Sequence, residues 1–230
     1  MNIEYRVARL DDISALEALI PFSARKLQSG YYSSVQLDGA IGTVFGVDTQ
    51  LIHDGTYFVA VVDGQIVGCG GWSKRKTLYG GDKGKAEDDP LRDPIIEPAM
   101  IRAFFVHPYF TRRGIGRAFI SISESAAYAA GFQSIDIVAT LAGEPLYASC
   151  GYSVVDRFSI ALINGASLPV VKMNKRNLSS HGIISSLESV INRFQQPLYH
   201  SPPVSKTPNQ AIEPTPMLAS EQASTGVAHL

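Results

Sequence analysis

The stretch AMIRAFFVHPYFTRRGIGRAFISISESAAYAAGFQSIDIVAT, residues 99–140, decides the fold of this chain. It opens on a β-rich run, AMIRAFFV (99–106), which ends at Val106-His107-Pro108, where the proline turns the chain. After Tyr109-Phe110 comes Thr111-Arg112-Arg113-Gly114-Ile115-Gly116-Arg117-Ala118. Positions 115–130 follow the helical period, with Ile115, Phe119, Ile122, Ala126 and Ala129 on one face and Gly131 as the C-terminal stop. Residues 134–140 (SIDIVAT) read as another strand. A strand, a helix and a strand in this order predict a parallel pair joined by a right-handed crossover.

Outward from this unit the elements are connected differently. Upstream, YFVAVVDGQIVGCGGW (57–72) places two β-rich segments around Asp63-Gly64, the strongest short hairpin signal. Residues 3–9 alternate as a half-buried strand does. Asp11 or Asp12 then caps a helix carrying Ile13, Leu16, Leu19 and Ile20 at helical spacing. Residues 22–55 are mixed, with a second short helix expected among them. Downstream, Glu144–Cys150 reads as a short helix ended by Gly151, and strands near 152–162 and 168–174 bracket Asn164-Gly165. The fold class is therefore α/β: a mixed, mostly antiparallel sheet with one parallel strand pair and helices on both faces.

Residues 74–98 interrupt this pattern with six basic and six acidic residues, three prolines and three glycines. So long a loop inside a compact domain is expected to be a functional lid or disordered. The folded domain is read as 1–176. Residues 177–196 are expected to hold an amphipathic helix, with Ile183, Ile184, Leu187, Val190, Ile191 and Phe194 on one face. Residues 197–230 contain six prolines, one aromatic residue and three acid or base residues, too little to bury, so a disordered tail is expected.

Composition excludes several classes. Of the 230 residues, 45% are hydrophobic and 18% charged, as in a globular chain. Lys+Arg 20 against Asp+Glu 21 gives a net charge of −1, which argues against a nucleic-acid-binding domain. Cys69 and Cys150 are the only cysteines, so neither a disulfide scaffold nor a structural metal site is expected, and both read as buried small hydrophobes. No apolar run reaches the ~20 residues of a membrane helix. The N-terminus MNIEYRVARLDD has charges where a signal peptide has its apolar stretch, so a soluble cytoplasmic protein is expected.

The chemistry sits in the turn at 111–118. Glycines let a backbone approach a phosphate closely, and free N–H groups at a helix start point toward it. Arg112, Arg113 and Arg117 add positive charge at the same point, and a pyrophosphate is the natural guest. A Walker loop would need Gly-Lys-Ser/Thr, which is missing. A Rossmann fingerprint would need a third glycine where Phe119 stands.

On FFVHP…RRGIGRA, on LYASCGY (146–152) and on the element order, residues 3–174 resemble the GNAT superfamily of N-acetyltransferases. The resemblance implies an acetyl-CoA-dependent N-acetyltransferase, with acetyl-CoA as cosubstrate, an amine acceptor (small molecule or peptide) and no metal. It leaves room for a homodimer. It implies that Phe105 and Val106 contact pantetheine, and that Arg112, Arg113, Gly114, Ile115, Gly116 and Arg117 hold the pyrophosphate. Tyr147 matches the family tyrosine that protonates the departing CoA thiolate. The chain departs from the family pattern at Thr111, where Gln or Arg is common, and in TLAGEP (140–145), which lacks the family's Asn.

No acid lies on 99–106 to serve as general base; Glu97 is the nearest candidate and His107 another. Arg102, mid-strand among apolar residues, reads either as an ion pair at the sheet's rim or as a contact to an acidic group of the acceptor. Trp72, Tyr79 and Asp82 are candidate acceptor contacts, with TLYGGD (77–82) as the tip of a lid. A non-catalytic acyl-CoA-binding sensor or scaffold is the rival reading, and a partner-recruiting segment at 183–230 a third.

Overall fold

The computed structural model describes residues 2–84 and 89–178. The expected helix at 177–196 falls outside them but for its first two positions, and the tail at 197–230 lies outside entirely.

Seven strands form one sheet: β1 (Glu4–Val7), β2 (Tyr57–Val62), β3 (Gln65–Ser73), β4 (Ala99–Val106), β5 (Ser134–Thr140), β6 (Ser153–Ala161) and β7 (Ser167–Arg176), in the order β1-β2-β3-β4-β5-β7-β6. All neighbours are antiparallel except β4 and β5. The Asp63-Gly64 turn joins β2 to β3 with φ of 48° and 79°, as a two-residue hairpin with both central residues left-handed requires.

Five α-helices accompany the described strands: α1 (Ile13–Gln28), α2 (Ser34–Ala40), α3 (Thr49–His53), α4 (Ile115–Ala129) and α5 (Glu144–Ala148). The sheet separates two apolar cores. One packs Ile115, Phe119, Ile122 and Ala126 of α4 against Phe58, Trp72 and Ile101. The other packs Leu16, Ile20 and Ala24 of α1 and Leu37 of α2 against Tyr57, Cys69 and Phe105. Helices therefore cover both faces, as the sequence predicts.

Residues 22–55 differ from expectation. Helix α1 continues through Pro21 to Gln28, and two short helices follow rather than one. Ser33 and Gln36 cap α2 reciprocally: Gln36 N–H donates to Ser33 Oγ (3.3 Å) and Ser33 N–H to Gln36 Oε1 (2.9 Å). The described part of the 74–98 loop is tied down. Lys76 N–H donates to Pro90 O, Arg92 N–H to Lys74 O, and Arg75 forms a two-bond pair with Asp54 at 2.7 and 2.9 Å.

Two departures from regularity in β4 position the site. First, β4 and β5 pair only at Ala99–Ile135, Met100–Asp136 and Ile101–Ile137, so the strands part beyond Ile101. Second, the β3–β4 register shifts between Cys69 and Gly71, and Ala103 sits at φ 53°. This is a bulge, which bends the strand and strengthens its twist. The hydroxyl of buried Tyr57 donates to Ala103 O at 3.0 Å and holds the bulge. Gly71 permits it from the other side, because a Cβ there would run into the Thr56 carbonyl.

Candidate functional site

The parting strands open into a cavity of about 850 Å³. Its walls include β4 from Ile101 to Val106, β5 from Ile137 to Thr140, the start of α4, and Tyr147 on α5. One void thus brings together the Gly-rich turn, the strand before it and the downstream tyrosine.

The turn is built for an anion. Arg112 (φ 60°) and Gly114 (φ 84°) are both left-handed, and Gly114 is the N-cap of α4. The first main-chain bond of the helix is donated by Ala118 to Gly114 O at 2.9 Å. The N–H groups of Ile115, Gly116 and Arg117 precede it, at the positive end of the helix dipole. Arg112, Arg113 and Arg117 are exposed around them. A pyrophosphate fits this donor set.

The two glycines differ in what surrounds them. A Cβ on Gly114 would meet nothing within 4 Å, so glycine is required there by its φ. A Cβ on Gly116 would come within 2.8 Å of Leu146 Cδ2, so this glycine lets α5 approach α4. Arg117 joins the same helices by donating to Ser149 Oγ at 2.9 Å. Arg113 lies over the Phe110 ring at 5.3 Å. Ile115 and Phe105 bury their side chains in opposite cores, and Phe105 pairs with Cys69 of β3. Val106 O is taken by Ser23 Oγ of α1 at 2.8 Å.

Tyr147 is buried, 6.1 Å from the Phe104 ring and 5.6 Å from Tyr152. Burial pushes its phenol well above the ordinary tyrosine range, with a smaller contribution from Cys150. It therefore keeps its proton at neutral pH.

The candidate acceptor residues separate. Tyr79 lines the cavity, and so does Arg102. Arg102 Nη2 pairs with the fully buried Asp48 at 2.8 Å and donates to Gly80 O at 2.6 Å, while Nη1 donates to Thr77 O at 2.9 Å. Of its two readings the ion pair is the one formed, and it is buried rather than at the rim.

Trp72, Asp82 and Glu97 lie off the cavity wall, contrary to expectation. Trp72 points into the α4 core, with its ring 5.8 Å from Phe132. Asp82 accepts from Thr49 N–H at 2.9 Å. Glu97 accepts from Asp93 N–H at 2.8 Å and pairs with Lys76; the Asp93 bond foremost holds its carboxylate below the usual range, which weakens it as a base. His107 accepts from Tyr109 N–H and rests against Phe22, also off the cavity. Cys69 is buried as expected, whereas Cys150 is partly exposed near Arg117.

Sequence reading missed Asp48, Ser23 and Tyr57, which act across 46 to 83 residues of chain. Among the described residues there is no group of three or more His, Cys, Asp or Glu able to hold a metal ion, and no helix long and apolar enough to cross a membrane.

Comparison with known proteins bears on the same region. Residues 53–154 match the family model of the acetyltransferase (GNAT) domain. No curated protein sequence matches the chain significantly. Among solved structures, a GCN5-related N-acetyltransferase from Rhodopseudomonas palustris aligns with a TM-score of 0.57 at 21% identity, over 76% of this chain and 96% of that one. The PaiA N-acetyltransferase of Thermoplasma acidophilum, solved with coenzyme A, gives 0.52 at 15%, over 76% and 99%. The yncA protein of Salmonella typhimurium, solved with its cofactor acetyl-CoA, gives 0.52 at 15%, over 80% and 98%. At these identities the likeness establishes the fold.

Proposed function

We propose that the acetyltransferase (GNAT) domain of this chain moves an acetyl group from acetyl-CoA to an amine by direct attack, with Tyr147 as general acid. The observation that carries this reading is the one cavity in which a helix N-terminus flanked by Arg112 and Arg117, a strand edge parted from its neighbour and a protonated buried tyrosine meet, with Arg113 off the wall against Phe110. The relatives solved with coenzyme A and acetyl-CoA support the choice of cosubstrate.

The N–H groups at the start of α4, with Arg112, Arg113 and Arg117, would hold the pyrophosphate. The edge of β4 at Val106, freed by the parting from β5, would bond the pantetheine arm through its N–H, since Ser23 holds its carbonyl. The amine nitrogen attacks the thioester carbonyl carbon and the C–S bond breaks. The thiolate takes the Tyr147 proton, and the phenol regains one as the nitrogen loses its own. No covalent enzyme intermediate is needed, and neither cysteine takes part.

The test is a panel of amines with acetyl-CoA, read by release of free CoA and run on the wild type and on Tyr147→Phe. Amine-dependent release by the wild type supports the enzyme. Tight binding of acetyl-CoA without release for any amine would mark a non-catalytic acyl-CoA-binding module.

A further inference from the structure

The end of the cavity away from the phosphate turn has its own chemistry. Arg102 precedes Val106 by four strand positions, roughly 13 Å at the usual rise. Beside it the 77–82 segment bonds to the 43–47 segment, through Gly81 N–H to Thr43 O (2.7 Å) and Asp82 N–H to Val47 O (3.0 Å). The cavity wall there includes Leu27, Tyr31, Val44, Phe45, Leu78 and Tyr79, together with the buried polar side chain of Gln28, whose Oε1 is unpartnered and can accept from a neutral N–H. Leu27, Tyr31 and Leu78 are large apolar side chains left 36%, 52% and 41% exposed. Three such residues around the opening of one cavity form an apolar patch of the kind that marks binding sites.

Charge is balanced or missing at this end. The Arg102 cation is matched by Asp48. Among the described residues lining the cavity there is no Asp or Glu. An ammonium group brought here would lose its water without gaining a counter-charge. A lysine-like amine at pH 7 is uncharged only about once in 2,500 molecules, given its reference pKa of about 10.4. An aromatic amine is already neutral at that pH and carries an apolar body.

We infer that the acceptor is an apolar, weakly basic amine of the arylamine class rather than a polyamine or a lysine side chain. The inference rests on the acetyl-transfer reading above. The arylamine nitrogen bonds to the acetyl carbon, the C–S bond breaks, and one N–H proton ends on the CoA sulfur; products are the N-aryl acetamide and CoA. Leu27, Tyr31 and Leu78 select the acceptor by its apolar surface.

The experiment measures kcat/KM at pH 7 for para-ethylaniline, phenethylamine and spermidine, with calorimetry of acetyl-CoA binding alongside. The expected order is para-ethylaniline, then phenethylamine, then spermidine, with about 100-fold or more between the ends. Leu78→Asp, an exposed change, should leave acetyl-CoA affinity unchanged and lower kcat/KM for para-ethylaniline about tenfold. Spermidine or phenethylamine ahead of para-ethylaniline overturns the inference, as does an unaffected Leu78→Asp. Acetyl-CoA binding with no amine acetylated overturns the transfer reading itself, and the inference falls with it. Failure to bind acetyl-CoA at all instead overturns the functional reading on which it rests.

Discussion

The two ends of the cavity are built from different materials. The phosphate end is made largely of backbone: helix N–H groups, a left-handed glycine and an unpaired strand edge, all within residues 102–117. The acceptor end is made of side chains from α1, the 43–47 segment, the 77–80 segment and β4, held by one buried ion pair. Backbone recognition suits a cosubstrate whose pyrophosphate and amide groups demand fixed donors and acceptors. Side-chain recognition lets the acceptor change while the fold stays. The difference implies that changes at the phosphate end should alter cosubstrate binding, and changes at the other end acceptor choice or the integrity of the loop.

The largest expected effect falls between the two ends. Tyr147→Phe keeps the ring against Phe104 and removes the proton donor; kcat should fall about 10²–10⁴-fold while acetyl-CoA affinity holds, measured by steady-state kinetics and calorimetry. Equal turnover by both proteins across pH would leave Tyr147 a packing residue.

Next comes the ion pair that holds the acceptor end. Arg102→Met removes the cation from the buried Asp48 carboxylate, which also caps α3 through Leu51 N–H, and should cost about 3–5 kcal/mol of stability, read by denaturant unfolding. A double variant, Arg102→Met with Asp48→Leu, should recover much of that loss, because no charge is left unpaired. If the single variant is as stable as the wild type, the pair does not hold this end.

At the phosphate end Gly114→Ala forces an alanine to φ 84° and should cost about 1–2 kcal/mol. Since its Cβ meets open space, the cost is conformational, and Gly114→Asn should be milder than Gly114→Ala in thermal melts.

The smallest effect at neutral pH concerns the bulge that separates the ends. Burial pushes the Cys69 thiol up to about 12, against an ordinary value of 9.0. A raised folded-state value means full stability below pH 9, lost progressively as pH climbs from 9 toward 12. Burial also raises Tyr57, beside it. Cys69→Ala should flatten the alkaline fall in melting temperature and change little at pH 7. An unchanged alkaline slope would mean that other groups set it.

The phosphate end was legible in the sequence because its parts are neighbours in the chain. The strand, the Gly114-Ile115-Gly116 turn and the α4 period occur in one run, and Tyr147 follows after one more strand. Even there one detail was hidden. Gly116 makes room for Leu146, a contact 30 positions along that no local pattern displays. The acceptor end was not legible. Asp48 reaches Arg102 across 54 residues, and nothing around either residue announces its partner. Trp72 follows the alternation of its strand, but the register shift after Cys69 and the sheet's two-sided burial made its face unreadable. Glu97 is near β4 in sequence only, and its carboxylate is bonded to Asp93 and Lys76.

The central claim is that the start of α4 holds the pyrophosphate of acetyl-CoA, and Gly116→Asp addresses it most directly. The added side chain must displace the flexible tip of Leu146, 2.8 Å from the new Cβ, while a carboxylate in the first helical turn favours the helix, so the variant should stay folded, as its thermal melt must first show. The same charge would face the bound anion. Calorimetric titration should show one saturable acetyl-CoA site in the wild type and a markedly weaker one in the folded variant, and equal affinity in the two proteins would contradict the account.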